Sequence, residues 1–152
     1  MAALEYYFED FAVGDTFDLG EYTFSADEIV AFAKQFDPQP FHLDEAGGKA
    51  SHFGGLVASG WHTCSIMMRL NVVQMVSRSA SMGSPGVEEI RWLKPVRPGD
   101  TLNVTSTTLA VRASQSKPDR GTVTQLWTAT NQHGEEVCRF KGTGMYRRRS
   151  AG

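Results

Sequence analysis

The sequence predicts one α+β domain, an antiparallel sheet lying beside a single long apolar helix. Three observations carry that prediction. Residues 60–76 are apolar around most of a helical circumference, as a buried helix requires. After Gly86 the chain changes to short segments rich in Val, Thr, Trp and Phe, punctuated by turns that carry Pro and Gly. The length of 152 residues suits one domain with a core of its own, and no repeat, low-complexity tract or linker divides residues 1–152.

Taken in order, the first strand is expected over residues 16–24. Ser25-Ala26-Asp27-Glu28 has the form of a capping box, with Asp27 and Glu28 at the positive end of the helix dipole. Ile29, Phe32, Ala33 and Phe36 then repeat at helical spacing and mark a stripe facing the core. Pro38 and Pro40 end this helix near Phe36 or Asp37, because each lacks an N–H and pushes its preceding residue out of the α region. Residues 37–42 therefore read as a stiffened, non-helical turn, and Gly47, Gly48, Gly54 and Gly55 as a loop. Ser59 is the expected N-cap of the long helix, whose densest apolar stripe is Ile66, Met67, Leu70, Val73 and Val76. Residues 77–86 form its exit loop. Four strands follow near 87–94, 101–114, 121–131 and 136–148. In the third, Val123, Gln125, Trp127 and Ala129 alternate with Thr124, Leu126 and Thr128, so both of its faces suit a cover.

A net charge of −2 with 21% charged and 41% hydrophobic residues gives no basic excess for nucleic acid and favours small molecules or proteins as partners. The N-terminus carries acids and aromatics where a signal peptide needs a basic start and a continuous apolar stretch. Residues 56–76, the longest apolar segment, are interrupted by Ser59, His62, Ser65, Arg69, Asn71 and Gln74, which a membrane span hardly tolerates. A cytoplasmic protein is expected. Cys64 and Cys138 lie far apart without zinc-type spacing and read as buried small apolar residues, with no metal implied. The basic run Arg147-Arg148-Arg149-Ser150 reads as a solvated strand end, or else as a contact for a phosphate-bearing ligand.

The sharpest chemical feature is Asp37-Pro38-Gln39-Pro40-Phe41-His42-Leu43-Asp44. Two prolines stiffen the backbone between a carboxylate and an imidazole, which can hold two titratable groups in fixed relative positions. Spacing alone leaves another reading open, in which Asp37 is a cap or turn residue and His42 is structural. In Ala58-Ser59-Gly60-Trp61-His62, Gly60 opens the buried helix. Either its free N–H at the positive helix end donates to a developing oxyanion, or its small size serves only packing against the sheet. Of the other imidazoles, His52 suits a solvated loop, His62 suits core packing, and His133 suits a surface turn.

Together these features resemble the MaoC-like dehydratase family, which includes the (R)-specific enoyl-CoA hydratases. The resemblance spans nearly the whole chain. It rests on Tyr7-Phe8-Glu9-Asp10-Phe11-Ala12-Val13-Gly14-Asp15, the Asp37 to His42 motif with Leu43-Asp44, Phe53-Gly54-Gly55-Leu56-Val57-Ala58-Ser59-Gly60, and Arg91-Trp92-Leu93-Lys94-Pro95-Val96-Arg97-Pro98-Gly99-Asp100. It implies a hot-dog fold, a curled antiparallel sheet wrapped around a long central helix. It also implies a homodimer or higher oligomer of dimers that holds an acyl-CoA or acyl-carrier thioester between subunits, with no cofactor besides the CoA thioester substrate. By the same resemblance Asp37 and His42 are the acid/base pair of a hydratase or dehydratase, and the Gly60 N–H faces the thioester oxygen. The chain departs from the family pattern at Gln39, where Asn is usual, and at Ser59, where His is common, followed by the bulky Trp61. Gln39, Ser59 and Trp61 are accordingly assigned to substrate contact, where a changed wall alters which acyl group fits.

Two rivals differ in kind. A hot-dog thioesterase commonly carries a carboxylate on its central helix, and this sequence has no Asp or Glu between Glu45 and Glu88. A non-catalytic acyl-thioester-binding subunit needs no acid/base pair, so Asp37, His42 and Gly60 together weigh against it. Met67, Met68 and Met75 either shape an adaptable acyl tunnel or fill the core, and their spacing favours the core.

Overall fold

The computed structural model describes residues 3–149. A 3-10 turn, Phe8–Asp10, precedes strand β1 (Thr16–Thr23) and helix α1 (Ala26–Phe36). Two short helices, α2 (Pro40–Leu43) and α3 (Glu45–Lys49), lead to the long helix α4 (Gly60–Gln74). A 3-10 turn, Val76–Arg78, then gives way to β2 (Gly86–Trp92), β3 (Thr101–Ala113), β4 (Arg120–Thr130) and β5 (Glu136–Arg147). The strands form one antiparallel sheet in the order β1-β3-β4-β5-β2.

Period-two alternation decides what the sheet buries. Leu102, Val104, Ser106 and Thr108 of β3, and Val123, Gln125, Trp127 and Ala129 of β4, point inward. Against them α4 sets Ile66 and Met67, with Met75 at its C-cap, in one apolar cluster that also takes Leu19, Phe24, Ile29 and Phe140. A curled sheet around one helix is the hot-dog arrangement. Met67 and Met75 fill the core, whereas Met68 is exposed. None of the helices in the described residues is long and apolar enough to cross a membrane.

The start of α1 follows its capping box: the Ser25 hydroxyl accepts from the Glu28 N–H at 3.2 Å and the Glu28 carboxylate accepts from the Ser25 N–H at 2.9 Å. Such a cap is worth about 1 kcal/mol. Ile29 and Ala33 are buried, but Phe36, expected on the same stripe, is 65% exposed and rests on Phe32. The core reaches the first turns of that stripe and stops short of the last.

Residues 37–49 correct the expected turn and loop. Pro40 stands at the first position of α2, where its missing N–H is not needed and its fixed φ suits a helix. Gln39 before it is extended, so proline breaks one helix and starts the next. Gly47 and Gly48 lie within α3 rather than a loop, capped by the Asp44 carboxylate, which accepts from the Gly47 N–H. Their small size serves close packing: a Cβ on Gly48 would stand 2.1 Å from the Gly55 carbonyl carbon.

A further correction concerns α4. Its buried side is His62, Thr63, Ile66, Met67 and Asn71, while Trp61, Met68, Val72 and Val73 are exposed. Val73, expected in the buried stripe, is 54% exposed because the sheet of one chain covers only one side of this helix. The basic tail is also accounted for within the chain. Arg148 and Arg149 pair with Glu9 and Asp10 and lie over the rings of Phe8 and Tyr7, which clasps the C-terminal strand to the N-terminal turn. Ser150, the last residue of that run, lies outside the described residues. Cys138 is fully buried as expected, whereas Cys64 is only partly buried.

Candidate active site

Asp37 and His42 converge on one cavity of about 420 Å³. Asp37 is the C-cap of α1, fixed by its N–H bond to the Ala33 carbonyl at 2.9 Å. His42 sits in the single turn of α2 and is 5% exposed. Its Nε2 stands 3.4 Å from Asp37 Oδ2. On the other side of the ring, Nδ1 lies 2.6 Å from the Val57 carbonyl oxygen. A carbonyl only accepts, so Nδ1 carries the proton and the Nε2 position faces the carboxylate and the cavity. The Val57 N–H in turn donates to the Phe41 carbonyl at 3.1 Å, which pins α2 to the segment entering α4.

The Asp37 carboxylate is held from two sides. Ser59 Oγ donates to Oδ2 at 2.7 Å and Gln39 Nε2 to Oδ1 at 2.7 Å. Burial pushes the Asp37 carboxyl up, but the Ser59 and Gln39 hydrogen bonds and the adjacent His42 outweigh it, leaving it below the usual carboxylate range. Asp37 is thus ionised throughout the neutral range.

Gln39 and Trp61 line the cavity with Asp37, His42 and Gly60. Ser59 does not: it is fully buried, and its hydroxyl both donates to Asp37 and accepts from the Trp61 N–H at 3.2 Å as the cap of α4. Ser59→Ala removes a hydrogen bond that lowers the Asp37 carboxyl, so that carboxyl rises and fewer molecules carry the carboxylate at a given acid pH. The stability from this ionisation is present above the unfolded carboxyl's pKa and is lost as pH falls through the lower folded one. In Ser59→Ala the Asp37 carboxyl is therefore expected to titrate at higher pH, with about 1 kcal/mol lost from the cap, measured by NMR titration of the carboxyl beside a urea melt.

Gly60 combines both of its sequence readings. A Cβ there would stand 2.4 Å from the Trp92 indole, so the glycine is required for packing. Its N–H, first in the helix, makes no hydrogen bond to protein among the described residues. Trp92, Phe41 and Phe53, not among the predicted site residues, also wall the cavity. The available signal was their aromatic bulk within the family-like motifs at 37–44, 53–60 and 91–100.

The remaining imidazoles stay out of the cavity. His62 is sandwiched between Phe24 and Phe32, with both ring centroids at 4.8 Å, and burial pushes it down so that it is neutral in the core. His52 is exposed against Phe53 and His133 lies in the exposed turn before β5. Among the described residues no group of three or more His, Cys, Asp or Glu is arranged to hold a metal ion.

Comparison with known proteins identifies the family and the fold. The family described as "MaoC like domain" matches residues 10–131. The structure of the MaoC-like dehydratase from Rhodospirillum rubrum superposes with a TM-score of 0.89 at 47% identity, covering 96% of this chain and 99% of that one. The uncharacterized protein YdeM of Bacillus subtilis is 31% identical over 135 residues, 88% of this chain and 92% of that protein. A stretch of 67 residues, 42% of this chain and 18% of the other, is 39% identical to the mesaconyl-CoA hydratase of Cereibacter sphaeroides. Matched by the family over most of its length and carrying its fold, the chain belongs to the MaoC-like domain family.

Proposed function

We propose that this protein is a hydro-lyase that adds water to, or removes it from, the double bond of an enoyl thioester, an acyl-CoA or acyl-carrier ester. The observation that carries the reading is the convergence of Asp37 Oδ2 and His42 Nε2, 3.4 Å apart, on one cavity. In the Nδ1–H tautomer both are acceptors, and a water molecule donating one hydrogen to each is oriented for attack. His42 Nε2 takes a proton as the water oxygen bonds to the β-carbon. The imidazolium, steadied by the Asp37 carboxylate and the Val57 carbonyl, then returns that proton to the α-carbon from the same face. Asp37, held ionised by Ser59 and Gln39, is an orienting and charge-balancing group rather than a proton donor. Charge that builds on the thioester oxygen is met by the Gly60 N–H and the positive end of α4, preorganised donors that need no rearrangement.

A homodimer in the cytoplasm fits the open side of α4, where Met68, Val72 and Val73 offer apolar surface for a second copy. Kinship with a mesaconyl-CoA hydratase over part of the chain supports hydration chemistry on a CoA ester. The test is to incubate the protein with crotonyl-CoA, a branched enoyl-CoA, a dicarboxylic enoyl-CoA and a saturated acyl-CoA. Loss of conjugated absorbance without release of free thiol is expected. Thiol release from the saturated ester would make it a thioesterase, and binding of all four without turnover would make it a binding subunit.

A further inference from the structure

His62, the third residue of α4, is 5% exposed and takes no part in lining the cavity. Its ring lies flat on Phe32 of α1, with centroids 4.8 Å apart and planes 11° from parallel, and meets Phe24, just after β1, edge-on at 4.8 Å. Nδ1 is buried and has no hydrogen-bond partner among the described residues. Phenylalanine or leucine would fill this space without leaving a polar nitrogen unpaired, so packing alone does not call for an imidazole. The charged and titratable groups around it are Glu28 of α1, Tyr22 of β1 and Arg69 of α4. Glu28 is already engaged: its carboxylate accepts from the Tyr22 hydroxyl at 2.5 Å and from the Ser25 N–H at 2.9 Å.

We infer that His62 is a positioning residue: its stack on Phe32 seats α1, and Asp37 with it, against the start of α4, and a proton on the ring unseats it. Only the consequence for turnover rests on the hydro-lyase reading. Toward its C-terminus α1 has little hold on the core, since its buried residues are Ile29 and Ala33 and Phe36 is 65% exposed. Its second half meets the start of α4 through Phe32 on His62 and through Asp37 on the hydroxyl of Ser59, three residues before His62. Phe32 lies five residues before Asp37, about 7.5 Å along the helix, so a shift of α1 at the stack reaches the carboxylate. Burial holds the imidazole below its usual range against the pull of Glu28. As pH falls below the ordinary imidazole value, the unfolded chain takes up this proton before the folded one does. The stability is therefore present above that value and is lost as pH falls toward the lower folded one. Once taken up, the proton makes a buried cation that competes with Ser25 and Tyr22 for the carboxylate capping α1.

The test follows crotonyl-CoA hydration and the urea midpoint between about pH 5 and 8 in the wild type, His62→Ala and His62→Phe. At the upper end of that range His62→Ala is expected to lose about tenfold in kcat with little change in KM, and His62→Phe to recover most of it by restoring the stack. On the acid side, wild-type kcat/KM is expected to fall with two protonations, at His42 and His62, and that of His62→Phe with one fewer. The urea midpoint is expected to fall with acid more steeply in the wild type than in His62→Phe. Should His62→Phe fail to fold, hydrogen exchange of the α1 amides in the wild type decides: their protection is expected to fall over the range in which the His62 ring titrates by NMR. Undiminished kcat in folded His62→Ala, identical pH dependence in the wild type and His62→Phe, or α1 protection that ignores the His62 titration overturns the inference. A protein that hydrates no enoyl ester fails the hydro-lyase reading alone, because urea midpoints and amide exchange need no turnover.

Discussion

Asp37→Asn is expected to lower enoyl-thioester hydration by about two orders of magnitude or more, and His42→Ala to do the same, because each removes one half of the site that handles the water proton. The two groups face each other at 3.4 Å, and in the proposed mechanism they act on one molecule of water, so their losses should not add. The double variant is expected to be about as slow as the worse single one, as groups that work as a unit behave. Shape is preserved differently in the two cases. Asn keeps the outline of Asp37 but only one oxygen, so of Ser59 and Gln39, which donate to different oxygens of Asp37, one keeps its acceptor. His42→Ala leaves the Val57 carbonyl without the 2.6 Å Nδ1 donor, at a cost of about 1 to 3 kcal/mol against a total stability of about 5 to 15 kcal/mol. Both variants should therefore be folded at 25 °C, and melting curves beside the rates separate lost chemistry from lost structure. Near-normal hydration by the two folded single variants would sink the assignment of the pair.

How this site was assembled explains what the sequence could and could not announce. The strands were legible from their Val, Thr, Trp and Phe content and from turns such as Pro98-Gly99-Asp100, whereas β4, expected to suit a cover on both faces, is fully buried only on the face of Val123, Gln125, Trp127 and Ala129. Ser25 and Ser59 were legible as caps because capping is local chemistry. Pro40, Gly47 and Gly48 misled because their usual roles as breakers gave way to context: proline at a first helical position, and glycine where one backbone presses on another. Contacts made by topology were out of reach. Nothing local to Ser59 announces that its hydroxyl reaches Asp37, and nothing local to Trp92 announces that an edge strand lays it on Gly60. The apolar circumference of α4 predicts a buried helix, yet hydropathy alone does not distinguish a core from a face that suits a second copy.

Gly60→Ala is the sharper probe, because it leaves the backbone N–H in place and changes only what stands beside it. Alanine is favoured over glycine inside a helix by up to about 1 kcal/mol, whereas forcing a methyl into a filled space costs about 1 to 3 kcal/mol. At 2.4 Å from the Trp92 ring the methyl cannot be accommodated without moving the indole, so the steric cost prevails and the variant should melt lower. Turnover is expected to fall by about ten- to a hundredfold, since a displacement of about 1 Å beside the reacting atoms costs up to that much. If the displaced indole is the cause, Trp92→Ala should absorb the methyl. In that background Gly60→Ala is then expected to cost little in either stability or turnover, and the four proteins form a cycle whose interaction energy is large in both readouts. Equal losses of turnover in the two backgrounds, with stability rescued, would mean that the methyl obstructs the ligand itself at the Gly60 N–H. The cycle thus separates the glycine's two duties, room for Trp92 and access to the amide, which a single substitution confounds.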